Sequence, residues 1–101
     1  MATGTALTDR LRRDLELLHR HITVLRAVEE HQPVGIIRLS KLLGYRQHKV
    51  RYTLRVLEQD GLIRPSQEGA VVTNTAKQFH EELRVVLSEM RETVEALKNS
   101  L

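Results

Sequence analysis

Between Tyr45 and Leu57 the chain carries four basic residues, Arg46, Lys49, Arg51 and Arg55, and no acid, while Val50, Leu54 and Leu57 recur at i, i+4 and i+7. That combination leaves little choice of local structure. The apolar triplet makes one stripe of an α-helix running from about Arg46 to Asp60. With Val50 at zero and about 100° per residue, the stripe centres near 10°. His48, Tyr52 and Arg55 then fall between about 140° and 200°, with Arg51 and Lys49 on the two shoulders. A solvated helix usually mixes its signs for i,i+4 pairing, but here the first acid is Glu58. The helix is locked from behind and cationic across its front.

The flanking residues extend this into a larger unit over Ile36–Thr73. Ile36, Leu39, Leu42 and Leu43 have the 3-and-4 spacing of a short helix, and Gly44 can take the positive φ that ends it. Gly61 ends the basic helix. Leu62-Ile63-Arg64 and Ala70-Val71-Val72 read as two short strands, joined by a turn at Ser66-Gln67-Glu68-Gly69. Short helix, turn, basic helix and hairpin suit a helix placed in the phosphate-lined major groove of a duplex. Arg51 and Arg55 are the best candidates for base or phosphate contacts, since Arg reads guanine bidentately. Tyr52 can hydrogen-bond a phosphate or pack on a neighbouring Arg stem. Lys41 and Arg64 are placed to meet the backbone rather than the bases.

The stretch LSKLLGYRQHKVRYTLRVLEQDGLI resembles the helix-turn-helix core of winged-helix transcriptional regulators of the MarR, ArsR and PadR groups. The shared run is an apolar short helix, a Gly-containing turn, a polar helix start, and then Val50, Leu54, Leu57, Gly61, Leu62 and Ile63. The likeness covers roughly residues 25–83. It implies a mainly α fold with a small β-hairpin wing at Arg64–Gly69, and docking that points Gln47 and His48 at the groove floor. Two departures stand out. Arg46 occupies the cap position where the family has Ser or Thr, and Arg caps poorly. Pro65 lies inside the first wing strand, where it removes a ladder donor and argues for an edge position or a very short strand.

Two long helices without Gly or Pro bracket this unit. The first is expected from an N-cap at Thr8 to about Glu30, with residues 1–7 disordered. Its Leu11, Leu15, Leu18, Ile22 and Leu25 alternate steps of four and three, and Leu17, Val24 and Val28 form a second stripe. Gln32-Pro33 breaks it, and Val34-Gly35 can supply a short first strand. The last helix is expected to be capped by Thr73 or Thr75. Its seam is Leu83, Leu87, Met90, Val94, Leu97 and Leu101, with Ala76, Phe79 and Val86 covering the core. Both seams run past what a minimal domain needs, so a homodimer built on a coiled-coil-like bundle of the terminal helices is expected.

Charge agrees with the geometry. Residues 33–66 hold seven basic and two acidic side chains, residues 8–32 five of each, and residues 67–101 four basic and six acidic. The net +3 is thus concentrated where the basic helix lies. The chain of 101 residues makes one domain, here residues 8–101, and its three aromatics leave the core to Leu, Val and Ile. With no Cys there is no disulfide, thiolate zinc site or Cys nucleophile. His19 and His21 diverge by about 200° on a helix, and His31, His48 and His80 have no partner at ligand spacing, so neither metal nor cofactor is expected. No phosphate loop, serine elbow or apolar acid pair suggests an enzyme. Without a membrane-length apolar run or signal region, a cytoplasmic protein is expected. The leading expectation is a homodimeric, sequence-specific regulator that binds double-stranded DNA. The alternatives are a weakly specific chromatin-type protein and a winged-helix protein-interaction module. Operator, sign of regulation and small-molecule effector are not written in the residues.

Overall fold

The computed structural model describes residues 4–101. Four helices and a hairpin follow in the order α1 (Ala6–His31), α2 (Ile36–Leu43), α3 (Gln47–Gln59), β1 (Ile63–Ser66), β2 (Gly69–Val72) and α4 (Thr75–Ser100). The fold is mainly helical and winged-helix-like, and elongated, 52 × 31 × 20 Å along its principal axes.

α1 begins earlier than expected. Thr5, not Thr8, is the N-cap: the Thr5 hydroxyl accepts from the Thr8 N–H at 3.3 Å, and the Thr8 hydroxyl accepts from the Thr5 N–H at 2.8 Å. Two hydroxyls three residues apart satisfy each other's orphan donors, so the reciprocal box wins over a single cap at Thr8. The ordered chain therefore reaches back into the segment expected to be disordered, whose residues 1–3 lie outside the described region.

α1 buries Val24, Leu25, Ala27 and Val28 against α2 and α3, and Val34, Leu39, Val50, Leu57, Leu62 and Ile63 complete the core. Leu17, Leu18 and Ile22 are half-buried. On α3 the buried stripe is Val50, Thr53 and Leu57, and Leu54, expected in it, is only half-buried. The stripe is rotated toward α1, because α1 packs on the Thr53 side while a cleft opens on the Leu54 side.

Each turn is held by named bonds. Gly44 (φ 76°) ends α2, its N–H donating to the Ser40 carbonyl at 2.9 Å, while the Ser40 hydroxyl donates to the Tyr45 carbonyl. α3 ends at Gly61 (φ 75°), with Gly61 N–H bonded to Glu58 O and Leu62 N–H to Leu57 O, the two bonds of a Schellman motif.

The hairpin pairs Ile63 with Val72, Arg64 with Val71, Pro65 with Ala70 and Ser66 with Gly69. The expected first strand shrinks to one bridge, Val34 with Ala70, where each N–H donates to the other's carbonyl at 3.1 and 2.8 Å. Because both polar groups of Ala70 turn to Val34, Pro65 opposite it sits at a non-hydrogen-bonded position and its missing N–H costs nothing. The Val34 backbone also explains Gly69 (φ 133°): a Cβ there would lie 2.5–2.7 Å from Val34 backbone atoms.

α4 is not capped by Thr73 or Thr75. Asn74 holds the N-cap position without a side-chain bond, and the two Thr hydroxyls instead reach the Gly61 carbonyl at 2.6 and 2.8 Å. The start of α4 is thereby fastened to the end of α3. Ala76 is buried, Phe79 packs on the core, and His80 Nε2 lies 2.8 and 3.0 Å from the two carboxylate oxygens of Glu29 on α1. Beyond this point Leu83 and Val86 are half-buried, and the seam then leaves the body.

Candidate nucleic-acid interface

α3 owes its position to its apolar back. Val50, Thr53 and Leu57 are buried beneath it, so the residues on the opposite arc must face solvent. Gln47, His48, Lys49, Arg51, Tyr52 and Arg55 are all exposed, as is Arg46 at the N-cap. Arg46 makes no side-chain cap; the Lys49 and Val50 N–H groups donate to its carbonyl at 3.0 and 3.1 Å, and the N–H groups of Gln47 and His48 are left open at the same end as the cationic side chains.

The electrostatics are one-sided. Among the described residues the ion pairs are His31–Glu30, His80–Glu29, Arg84–Glu81 and Lys98–Glu95, none of which involves a cation of α2, α3 or the hairpin. Arg46, Lys49, Arg51 and Arg55 therefore stand without a carboxylate at ion-pair distance, and so do exposed Lys41 on α2 and Arg64 on β1. Burial and charge sort differently along the chain: acids collect on α4, bare cations on α3.

The hairpin stands beside α3 across a cleft of about 370 Å³. Arg51 and Arg55 line one wall and Pro65 and Ser66 the other, with Val34, Ile36, Leu54, Ile63 and Ala70 supplying an apolar floor. Arg64 is exposed on the same strand. The structure thus gathers the residues singled out on α3 on one surface, with the hairpin on the Arg51 shoulder. Tyr52 is not a lone surface ring: its centroid is 6.0 Å from that of His21 on α1.

That contact belongs to a cluster missed in the sequence. Thr53, 0% exposed, has its hydroxyl 2.8 Å from His21 Nδ1 and 3.3 Å from Arg20 Nε. Burial and the neighbouring Arg20 charge push the His21 pKa below its ordinary 6.5, with Asp60 acting in the opposite sense. One signal for it existed: Thr53 is three residues after Val50 and four before Leu57, the spacing of a stripe member.

The residues proposed for self-association fall into two groups. Leu11, Leu15, Leu87, Met90, Val94, Leu97 and Leu101 are exposed, whereas Leu18, Ile22 and Leu83 are half-buried nearer the body.

No curated protein matches the chain. The solved activation domain of the phage T4 transcription factor MotA is similar over 72% of this chain and 78% of that one, at 15% identity with a TM-score of 0.57. That likeness is one of fold. The sequence of residues 17–87, which spans the buried half of α1, α2, α3, the hairpin and the first half of α4, matches the CggR N-terminal DNA binding domain. With well over half its length matched, and with the bare cationic helix inside the match, the chain belongs to the family of CggR N-terminal DNA binding domains.

Proposed function

We propose that the protein is a homodimeric transcriptional regulator that reads specific double-stranded DNA sequences, with α3 in the major groove and the hairpin as a wing on the backbone. The observation that carries this reading is the front of α3: exposed cations along one arc, none of them paired among the described residues. Phosphate supplies the missing counter-charge and counterion release the driving force. Arg51 and Arg55, at mid-helix, are the candidates for base edges. Gln47 and His48 reach the groove floor from the first turn. Arg46, Lys49, Tyr52, Lys41 and Arg64 hold phosphates. Residues 8–101 work as one unit in this reading, as a binder inside the cell rather than a catalyst.

Two chains are supported by what the terminal helices leave uncovered. Met90 is 56% exposed and Leu97 60%. Burying such side chains against a partner stabilises by about 1.5 kcal/mol or more each, a large sum for a small domain. A bundle of α1 and α4 from two protomers covers them and sets two copies of α3 about 34 Å apart, one turn of duplex.

Selection of bound sequences from random duplex DNA tests the proposal. The expected product is a two-fold symmetric site with half-sites about one turn apart. Recovery of no preferred sequence, with binding steeply salt-dependent, would instead identify the weakly specific chromatin-type protein. The apolar floor of the cleft beside α3 favours the remaining alternative, a protein-interaction module. Absence of duplex binding at physiological salt in the intact assembly would decide for it.

A further inference from the structure

α3 has two shoulders. Across one, Arg51, Leu54 and Glu58 look over the cleft to Pro65 and Ser66 of the hairpin. On the other, Thr53 meets α1. A buried hydroxyl is unfavourable unless it is bonded, and Thr53 is bonded to a polar pair rather than to the backbone of its own helix: Arg20 Nε at 3.3 Å and His21 Nδ1 at 2.8 Å. An Arg Nε can only donate, so the Thr53 oxygen accepts and fixes the guanidinium stem at that shoulder. Arg20 is half-buried and, among the described residues, has no carboxylate at ion-pair distance. A partly desolvated guanidinium with no acid at ion-pair distance is an open anion site, and Asp60, which acts on the neighbouring His21, lies farther off.

Its place in the molecule says which anion. The His21 ring lies 6.0 Å from that of Tyr52, tilted by 39°, and Tyr52 is an exposed member of the α3 front, so Arg20 borders that front on the side away from the hairpin. A major groove about 12 Å wide is nearly filled by a helix about 10 Å across, and its walls are the two phosphate backbones. Each shoulder of an inserted helix therefore faces a wall. Arg64 serves the hairpin side.

We propose that Arg20 is a phosphate-contacting residue on α1, oriented by Thr53, that holds the duplex backbone on the shoulder of α3 opposite the hairpin. This rests on the reading of α3 as the groove helix. The groups facing His21 are Arg20 on its own helix and Thr53, Tyr52 and Asp60 on or just after α3. Burial and Arg20 hold its pKa down in the free protein. A phosphate seated on Arg20 offsets that repulsion and raises it. Complex formation then takes up a proton, and affinity rises as pH falls through the region below about 6.5.

Fluorescence anisotropy of the full chain on a labelled mixed-sequence duplex of about two turns tests this. Arg20→Gln is expected to weaken binding about fivefold and to reduce the salt slope by about one, whereas Arg20→Lys keeps the slope because the charge remains. Thr53→Val, which frees the guanidinium without removing it, is expected to give a smaller loss. Unchanged affinity and slope in Arg20→Gln, alongside weakened binding in Arg51→Ala, would overturn the Arg20 assignment and leave the α3 reading standing. Unchanged binding in both variants would overturn the two together. A second measurement needs no variant: the His21 imidazole, followed by NMR in the unaltered protein, is expected to titrate at higher pH once duplex is added, and no movement would contradict a phosphate at this shoulder.

Discussion

Phe79 and Met90 sit on the same face of α4, yet Phe79 packs against the core while Met90 is 56% exposed. The same division runs through α1, where Leu25 is fully buried and Leu11 is 69% exposed. Each long helix carries one continuous apolar seam, and only the half next to α2, α3 and the hairpin finds neighbours. Amphipathicity therefore measures what a helix is prepared to bury, and the elements beside it decide how much is buried. In the body the seam is a core. At the ends it is an exposed surface, which the proposed second copy would cover.

The largest effect expected from breaking this contrast comes at the ends. Val94→Glu with Leu97→Glu places unpaired charges in the proposed bundle, where burial is costly. Sedimentation should show monomers, and duplex affinity should fall by about 100-fold or more, since two half-sites no longer act together. A wild-type protein that sediments as a monomer at micromolar concentration would remove the dimer and the symmetric site.

Leu39→Ala tests the body. Leu39 is fully buried between helices, so its truncation should lower folding stability by about 2–5 kcal/mol in denaturant unfolding. Leu15→Ala at an exposed end should cost under about 1 kcal/mol in a dissociated double-Glu background. Equal costs there would mean that the ends are packed within one chain.

Next come the cations. Arg51→Ala and Arg55→Ala should each weaken binding to a selected site by about 1–3 kcal/mol, and Lys41→Ala less and equally for all sequences. Arg64→Ala should reduce the salt slope by about one unit without altering base preference. A changed preference at one base position, with the slope intact, would move Arg64 from the backbone to the groove.

The smallest effect is on pH. The His21 pKa is lowered in the fold, so between that value and the ordinary 6.5 the unfolded chain binds more protons than the folded one. Stability contributed by neutral His21 is complete above 6.5 and is lost as pH falls through the lowered value. His21→Gln should flatten the thermal-stability profile in that window. A profile unaltered by the substitution would place the acid sensitivity elsewhere.

What the sequence made legible is the part fixed by local pattern. Val50 and Leu57 on the buried back of α3, Gly44 and Gly61 at two helix ends, and the turn before Gly69 all hold in the structure, while Leu54 yields its place in the stripe to Thr53. What it hid depends on atoms distant in the chain. Thr53 is buried because α1 brings Arg20 and His21 to it from more than 30 positions away. Thr73 and Thr75 read as caps, but the Gly61 carbonyl, 12 and 14 residues earlier, takes their hydroxyls. Pro65 is tolerated because Ala70 turns its polar groups toward Val34, a pairing no spacing rule foretells.

The double bond of Thr73 and Thr75 to one carbonyl oxygen has a mechanical side. It pins the first turn of a helix about 39 Å long to the residue that terminates α3. Phe79 and His80 hold the following turns to the body as well, so the free arm is the half beyond Val86, about 21 Å long, and a tilt of about 5° displaces its tip by about 2 Å. The same gearing works in reverse, so wherever the tip of α4 is seated, a small shift there returns to α3 as a reduced rotation. In the proposed docking, the pitch at which α3 meets a duplex would then respond to the opposite end of the molecule without any change in a cationic side chain.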